Sequence, residues 1–144
     1  MPLPSPTQNT NVSTHGLHHL GLTVPNIHNT ADFFESVLGY KRVGEKPDYP
    51  AIFISDGITM LTLWQVQTPQ KMVHFDRKQN VGLHHFAIKV GGIDQLETLQ
   101  KAIEHYDGAT LEFAPEALNS SPVTHMMVTI PGGLRVEFIA LPEG

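Results

Sequence analysis

The chain contains no cysteine. A disulfide framework and a thiolate metal site are both excluded, so any metal would have to be held by His, Asp or Glu. Positive charge is scarce too. Nine Lys and Arg stand against fourteen Asp and Glu, for a net charge of −5, and the cations never run beyond the pairs KR and RK. The basic footprint of a nucleic-acid binder is missing. Long apolar runs are also lacking: no stretch approaches the about 20 residues of a membrane span, and the opening MPLPSPTQNTNVST has neither a basic start nor an apolar run. A soluble, cytosolic protein that meets neither nucleic acid nor membrane is the expectation, with residues 1–15 as a loose polar lead-in.

What the chain does have is 40% apolar content over 144 residues, enough to fill the core of one domain or of two small modules that share one. It also repeats itself. GLHHLGLTV runs from Gly16 to Val24 and GLHHFAIKV from Gly82 to Val90, 66 positions later. Residues 17–24 alternate, with Leu20, Leu22 and Val24 on one face and His19, Gly21 and Thr23 on the other, as in a half-buried strand. In PNIHNTADFFESVLGYK the residues Ile27, Ala31, Phe34 and Leu38 recur at helical spacing, between a start signal at Pro25 and Asn26 and a stop at Gly39. Short strands follow at about 40–46, 51–55 and 58–65, separated by the turns KPDYP and SDG.

After a polar connector the pattern restarts. A strand over 83–90 puts Phe86, Ile88 and Val90 opposite His85, Ala87 and Lys89, and a helix carries Ile93, Leu96, Leu99 and Ile103 on its apolar side. Strands are predicted at roughly 110–114, 123–130 and 134–140, the last two joined by the turn IPGGL. The fold class is therefore α+β: two tandem βαβββ modules, 16–66 and 82–144, flanking a connector at 67–81. Neither copy can bury its apolar face alone, so the modules pack together or exchange partners in a dimer.

The core requirement does not explain the histidines. His19 and His85 lie opposite the core residues, beside the small Gly21 and Ala87, while His18 and His84 have the other parity and read as surface residues at the strand starts. In the last strand Leu134, Val136 and Phe138 take the helix side, which leaves Glu137 with Arg135 and Ile139 on the open side. A carboxylate flanked by Val and Phe in a sheet is costly unless it is paired or metal-bound. Two neutral imidazoles and one carboxylate, His19, His85 and Glu137, form a set that holds a divalent ion on one triangular face and leaves positions open for a substrate.

Through LHHLGLTV, FFESVLGYK, LHHFAIKV and PGGLRVEF, over roughly residues 16–141, the chain resembles the vicinal oxygen chelate superfamily of glyoxalases, extradiol dioxygenases, epimerases, fosfomycin resistance enzymes and bleomycin-binding proteins. The resemblance implies cup-shaped sheets with helices outside, a homodimer, and a metal held from the first and last strand of each module. His19, His85 and Glu137 match three of those four places and Thr62 the fourth. A His, His, Glu set resembles that of the extradiol dioxygenases, with Fe(II) or Mn(II) favoured and Zn, Ni or Mg as the other candidates. The expectation leans to that chemistry on a small molecule with adjacent oxygens. A glyoxalase-type lyase or isomerase is the first alternative, and a metal-free binding or resistance protein the second. Glu137 is then both ligand and base, and His125, placed near it by the hairpin register, is a second acid or base. Met60, Thr62, Trp64 and Phe53 are expected to line the substrate pocket.

Overall fold

A computed structural model describes residues 3–5 and 11–142. Its elements run β1 (Leu20–Val24), α1 (Ile27–Leu38), β2 (Lys41–Lys46), β3 (Ala51–Ser55), β4 (Met60–Gln65), a 3₁₀ turn (Pro69–Lys71), β5 (Phe86–Val90), α2 (Ile93–Glu104), β6 (Thr110–Ala117), β7 (Thr124–Thr129) and β8 (Arg135–Ala140). The two four-stranded sheets have the same order, β1-β4-β3-β2 and β5-β8-β7-β6, and in each the outermost first strand runs parallel to the fourth. The α+β class and the repeated unit are as the sequence predicts.

Local chemistry explains the first helix. The Asn26 side chain accepts from the N–H groups of His28 and Asn29 at 3.0 Å each, and Gly39 ends the helix at φ 73°, a left-handed conformation that suits glycine. Helix α1 is buried on more than one side. It packs on β3 and β4 of its own sheet, and Phe34 meets Tyr40 there. Its other side meets the second module, where the Phe33 ring lies edge-on to Tyr106 with centroids 5.3 Å apart. At its first turn the Thr30 hydroxyl donates to the Pro131 carbonyl at 3.1 Å. Helix α2 packs on β6, β7 and β8 and touches α1. One apolar cluster thus joins both helices to the helix-facing residues of both sheets, among them Leu22, Ile54, Leu63, Met126, Val136 and Phe138. Full burial of each such side chain contributes roughly 1.5–3 kcal/mol.

Several edges differ from the sequence expectation. Strands β1 and β5 start at Leu20 and Phe86, three residues later than predicted, so both histidine pairs precede the ladder. The cause is their partner strands. The ladders open at Leu20↔Leu61 and Phe86↔Val136, and the chain just ahead of β4 and β8 is turning. Before β4 the Asp56 carboxylate accepts from the N–H groups of Ile58 and Thr59, which delays the strand from 58 to Met60. Before β8 the turn carries Gly132 and Gly133 at φ 105° and 97°. Strand β6 instead runs on to Ala117 through two register shifts, and its edge position tolerates Pro115. Ile93, expected on the apolar side of α2, is 54% exposed because it opens the helix at its solvent end.

Candidate active site

The second module brings three of the expected residues together. Glu137 lies in the middle of β8 opposite Ala87 of β5, whose short side chain leaves the carboxylate room. Glu137 is 9% exposed and His125 8%. His125 Nδ1 donates to Glu137 Oε2 at 2.5 Å, and His85 Nε2 stands 3.4 Å from the other oxygen. The imidazole of His125 is steadied on its other flank by Phe113, ring centroids 5.0 Å apart. A buried carboxylate so flanked is held in one orientation. The same oxygens are suitable donors for a hard divalent ion.

The first module mirrors this arrangement without the charge. Thr62 faces Gly21 in the β1–β4 ladder as Glu137 faces Ala87 in the β5–β8 ladder. Thr62 is 3% exposed and accepts from Trp64 Nε1 at 2.9 Å. A Cβ added at Gly21 would come within 3.2 Å of the Thr62 hydroxyl, so glycine keeps that spot open. Phe53 lies directly across from Thr62, and Met60 and Trp64 share its face by strand alternation. Two further residues join this wall. Tyr49 meets the Trp64 ring edge-on at 5.1 Å, and Lys46 Nζ stands 5.9 Å from its centroid. Tyr49 escaped the sequence reading because KPDYP signals only a turn.

Each histidine pair is a local unit. His18 Nδ1 and His19 Nδ1 are 2.8 Å apart, and His84 Nδ1 and His85 Nδ1 are 2.7 Å apart. In each pair one ring donates and the other accepts through Nδ1, which leaves Nε2 outside the contact, and in His85 it is Nε2 that stands by Glu137. His18 and His84, read from parity as plain surface residues, therefore orient the ring next to them. The duplicated HH doublet was the available signal.

His19 does not meet His85 and Glu137 within one chain. Helix α1 lies between its own sheet and the second module, so the face of the first sheet that carries Gly21 and Thr62 looks away from that module. The face carrying Glu137 likewise lies opposite α2. Among the described residues, no three His, Asp or Glu side chains of a single chain are placed to hold a metal ion. The residues expected to share one ion thus fall into two groups, one on the open face of each sheet.

At the turn end of the second sheet's open face the connector is pinned to the sheet. Arg135 donates through Nε and Nη2 to the two oxygens of Glu112 at 3.0 and 2.7 Å, and Arg77 Nη1 reaches the same carboxylate at 3.2 Å. The hydrogen bonds and charge of Arg135, aided by Arg77, hold the Glu112 carboxyl below its ordinary value against the opposing effect of burial. The sequence alone gave no reason to pair residues so far apart.

A sequence-family model described as the Glyoxalase/Bleomycin resistance protein/Dioxygenase superfamily matches residues 16–138. Among characterised proteins, a 2-epi-5-epi-valiolone epimerase from Actinomyces sp is 25% identical over 150 residues, covering 89% of this chain and 80% of that protein. A glyoxylase/bleomycin resistance protein/dioxygenase domain from Frankia sp. superposes with a TM-score of 0.76 at 19% identity, over 92% of this chain and 96% of that one. Lactoylglutathione lyase from Agrobacterium tumefaciens does so with a TM-score of 0.67 at 17% identity, over 88% and 94%. A fosfomycin resistance protein from Listeria monocytogenes gives 0.70 at 12% identity, over 90% and 96%. These structures share the fold with this chain while their names span different chemistries. The repeated βαβββ sheets and the extent of the family match give one conclusion: the chain belongs to the glyoxalase/bleomycin resistance protein/dioxygenase superfamily.

Proposed function

We propose that this chain is a divalent-metal enzyme that moves a proton at a carbon beside a carbonyl, as an epimerase or isomerase, on a small substrate whose adjacent oxygens chelate the ion. The observation that carries the reading is the buried contact of His125 with Glu137, 2.5 Å from Nδ1 to Oε2. Glu137 takes the proton from the substrate carbon as the electron pair moves to the carbonyl oxygen. As the pair returns, Glu137 gives the proton to the neighbouring carbon in an isomerase, or water protonates the other face of the same carbon in an epimerase and Glu137 releases its proton to solvent. Throughout, the N–H of His125 keeps the carboxylate aimed as its charge changes. The epimerase named among the relatives supports the same class of chemistry.

The donor set fits a divalent ion. No Lys or Arg pairs with Glu137 among the described residues, Arg135 being turned to Glu112, and His85 adds an imidazole nitrogen beside the carboxylate. His19, His85 and Glu137 would hold the ion, Fe(II) or Mn(II) before Zn, Ni or Mg. Bound there, it supplies Lewis-acid polarisation of the carbonyl. Because one chain's half-sites face opposite sides, the proposal includes a homodimer in which His19, Thr62 and the Trp64 wall of one copy meet His85, His125 and Glu137 of the other.

A second reading, ring-cleaving dioxygenase chemistry, is favoured by one residue. Thr62 stands where a fourth carboxylate ligand would mirror Glu137, and three donors instead of four leave more of the ion open to a catechol and O₂. The two are separated by loading the protein with each metal and presenting hydroxyketones in D₂O and catechols under O₂. Deuterium uptake that is lost in Glu137→Gln supports proton transfer. Oxygen consumption with catechols and no exchange replaces it with the dioxygenase. No metal uptake in any case would sink both and leave a metal-free binding protein.

A further inference from the structure

The turn end of the open face in the second module carries charge that neither the core nor proton transfer uses. Arg135 precedes Glu137 by two residues on β8 and shares its face, with the two Cα atoms about 7 Å apart. It is 7% exposed. Two of its nitrogens are satisfied by Glu112, but Nη1 is buried with no hydrogen-bond partner. Arg77 leans on the same Glu112 carboxylate, and Lys78 beside it makes no ion pair among the described residues. The remaining carboxylate, Asp76, is turned to the backbone, accepting from the Lys78 N–H at 2.9 Å. Together with Thr129 these groups line a pocket of about 260 Å³. Three cations share it with two carboxylates, one of them engaged by two arginines.

A strut that merely pinned the connector would need one arginine on Glu112. A second arginine, an uncommitted lysine and a buried guanidinium N–H without an acceptor describe a place for an anion. We propose that this pocket is an oxyanion subsite, taking a carboxylate or phosphate on Arg135, Arg77 and Lys78. Its ligand is the anionic group of the substrate, held along β8 from Glu137 so that the reacting carbon lies against that carboxylate. The substrate role rests on the proton-transfer reading; the anion pocket itself does not.

The test begins with metal-free protein, titrated with inorganic phosphate and, separately, with acetate, while backbone amide shifts are followed by NMR. Saturable shifts confined to residues 75–78 and 133–135 are expected in the wild type and in Glu137→Gln. Arg77→Gln, a change in the connector that leaves the sheet intact, is expected to weaken binding about tenfold, the loss of one charge-assisted hydrogen bond. Lys78→Gln weakens it less. Absence of saturable shifts with both anions, or unchanged affinity in Arg77→Gln, overturns the pocket and leaves a structural strut. A stronger response to phosphate than to acetate assigns the subsite to phosphate, and the reverse to carboxylate. With a turned-over substrate pair differing only in an anionic group, Arg77→Gln raises KM for the anionic member alone. Equal effects on both members overturn the substrate role, whereas an inactive protein that still binds phosphate refutes the proton-transfer reading and not the pocket.

Discussion

His125 and Glu137 touch although they are not register partners: His125 faces Ile139 across the β7–β8 ladder and Glu137 faces Met127, so their contact is the diagonal one. Diagonal neighbours on a sheet are within reach only of longer side chains. The pair therefore depends on both residues keeping their length and on the strand register staying fixed.

That dependence sets the first prediction. Removing one partner of a buried pair strands the other, so His125→Ala is expected to cost about 3 kcal/mol. Glu137→Gln keeps an oxygen for the His125 N–H and is expected to cost about 1 kcal/mol. The double change His125→Phe with Glu137→Met removes both polar groups and recovers most of the stability while abolishing activity. Urea midpoints check the order. A His125→Ala protein that unfolds at the wild-type midpoint would show that the pair contributes nothing.

The second prediction concerns the two half-sites. If the dimer completes the site, His19→Ala and Glu137→Ala each destroy it, but by damaging opposite contributors. Mixing and refolding the two inactive variants together makes half the dimers heterodimers, each with one intact site, and restores about a quarter of wild-type activity. Mixing variants of His85 and Glu137 restores nothing, since both belong to the same half. Absence of recovery in the first mixture, with dimers present by sedimentation, refutes the shared site.

Strand parity is a strict code, so the shared face of Glu137 and His125, and that of Met60, Thr62 and Trp64, follow from period two and one hairpin turn. Which strand lies beside each does not: Ala87 opposite Glu137 and Gly21 opposite Thr62 depend on parallel pairings between strands far apart in the chain. The strand starts were not legible, because whether residues 17–19 and 83–85 join a ladder depends on where β4 and β8 begin and not on their own alternation. Nor was the separation of His19 from His85. The same apolar patterns are satisfied whether the two modules meet edge to edge or through their helices, and Phe33 against Tyr106 decides it only in three dimensions. The pairing of Arg77 and Arg135 on Glu112 was hidden for a related reason: side-chain reach across a connector leaves no periodic trace.

Glu112 gives a prediction in pH. Its carboxyl is held below its ordinary 4.5 first by the hydrogen bonds of Arg135, against the pull of burial, and further by the charges of Arg135 and Arg77. A group whose folded-state value is depressed adds stability that is fully present above the unfolded value and fades as pH falls through the folded one. Wild type is therefore more stable than Glu112→Gln at neutral pH, and the gap closes in acid once pH falls below the ordinary carboxylate value. Melting temperatures of both proteins over that range check it. A gap independent of pH would mean the arginines do not favour the ionised form.

Trp64 is the chain's only tryptophan, and its position makes it a reporter for the first half-site. Its Nε1 donates to Thr62 Oγ1, Tyr49 and Phe53 flank its ring at 5.1 and 5.9 Å, and the ring is only half-buried. A substrate resting against Thr62 must displace water from that wall, so binding is expected to shift and quench the Trp64 emission. Thr62→Val removes the acceptor and leaves the indole N–H partnered by water, at a cost of about 1 kcal/mol. Its emission is then expected to move toward that of solvated indole before any ligand is added, and its response to substrate to diminish. Phe53→Ala, which opens the wall without touching the hydrogen bond, is expected to weaken substrate binding and leave the ligand-free emission nearly unchanged. If a turned-over substrate leaves the Trp64 emission untouched in all three proteins, the aromatic wall is packing alone, and the substrate lies wholly on the Glu137 side.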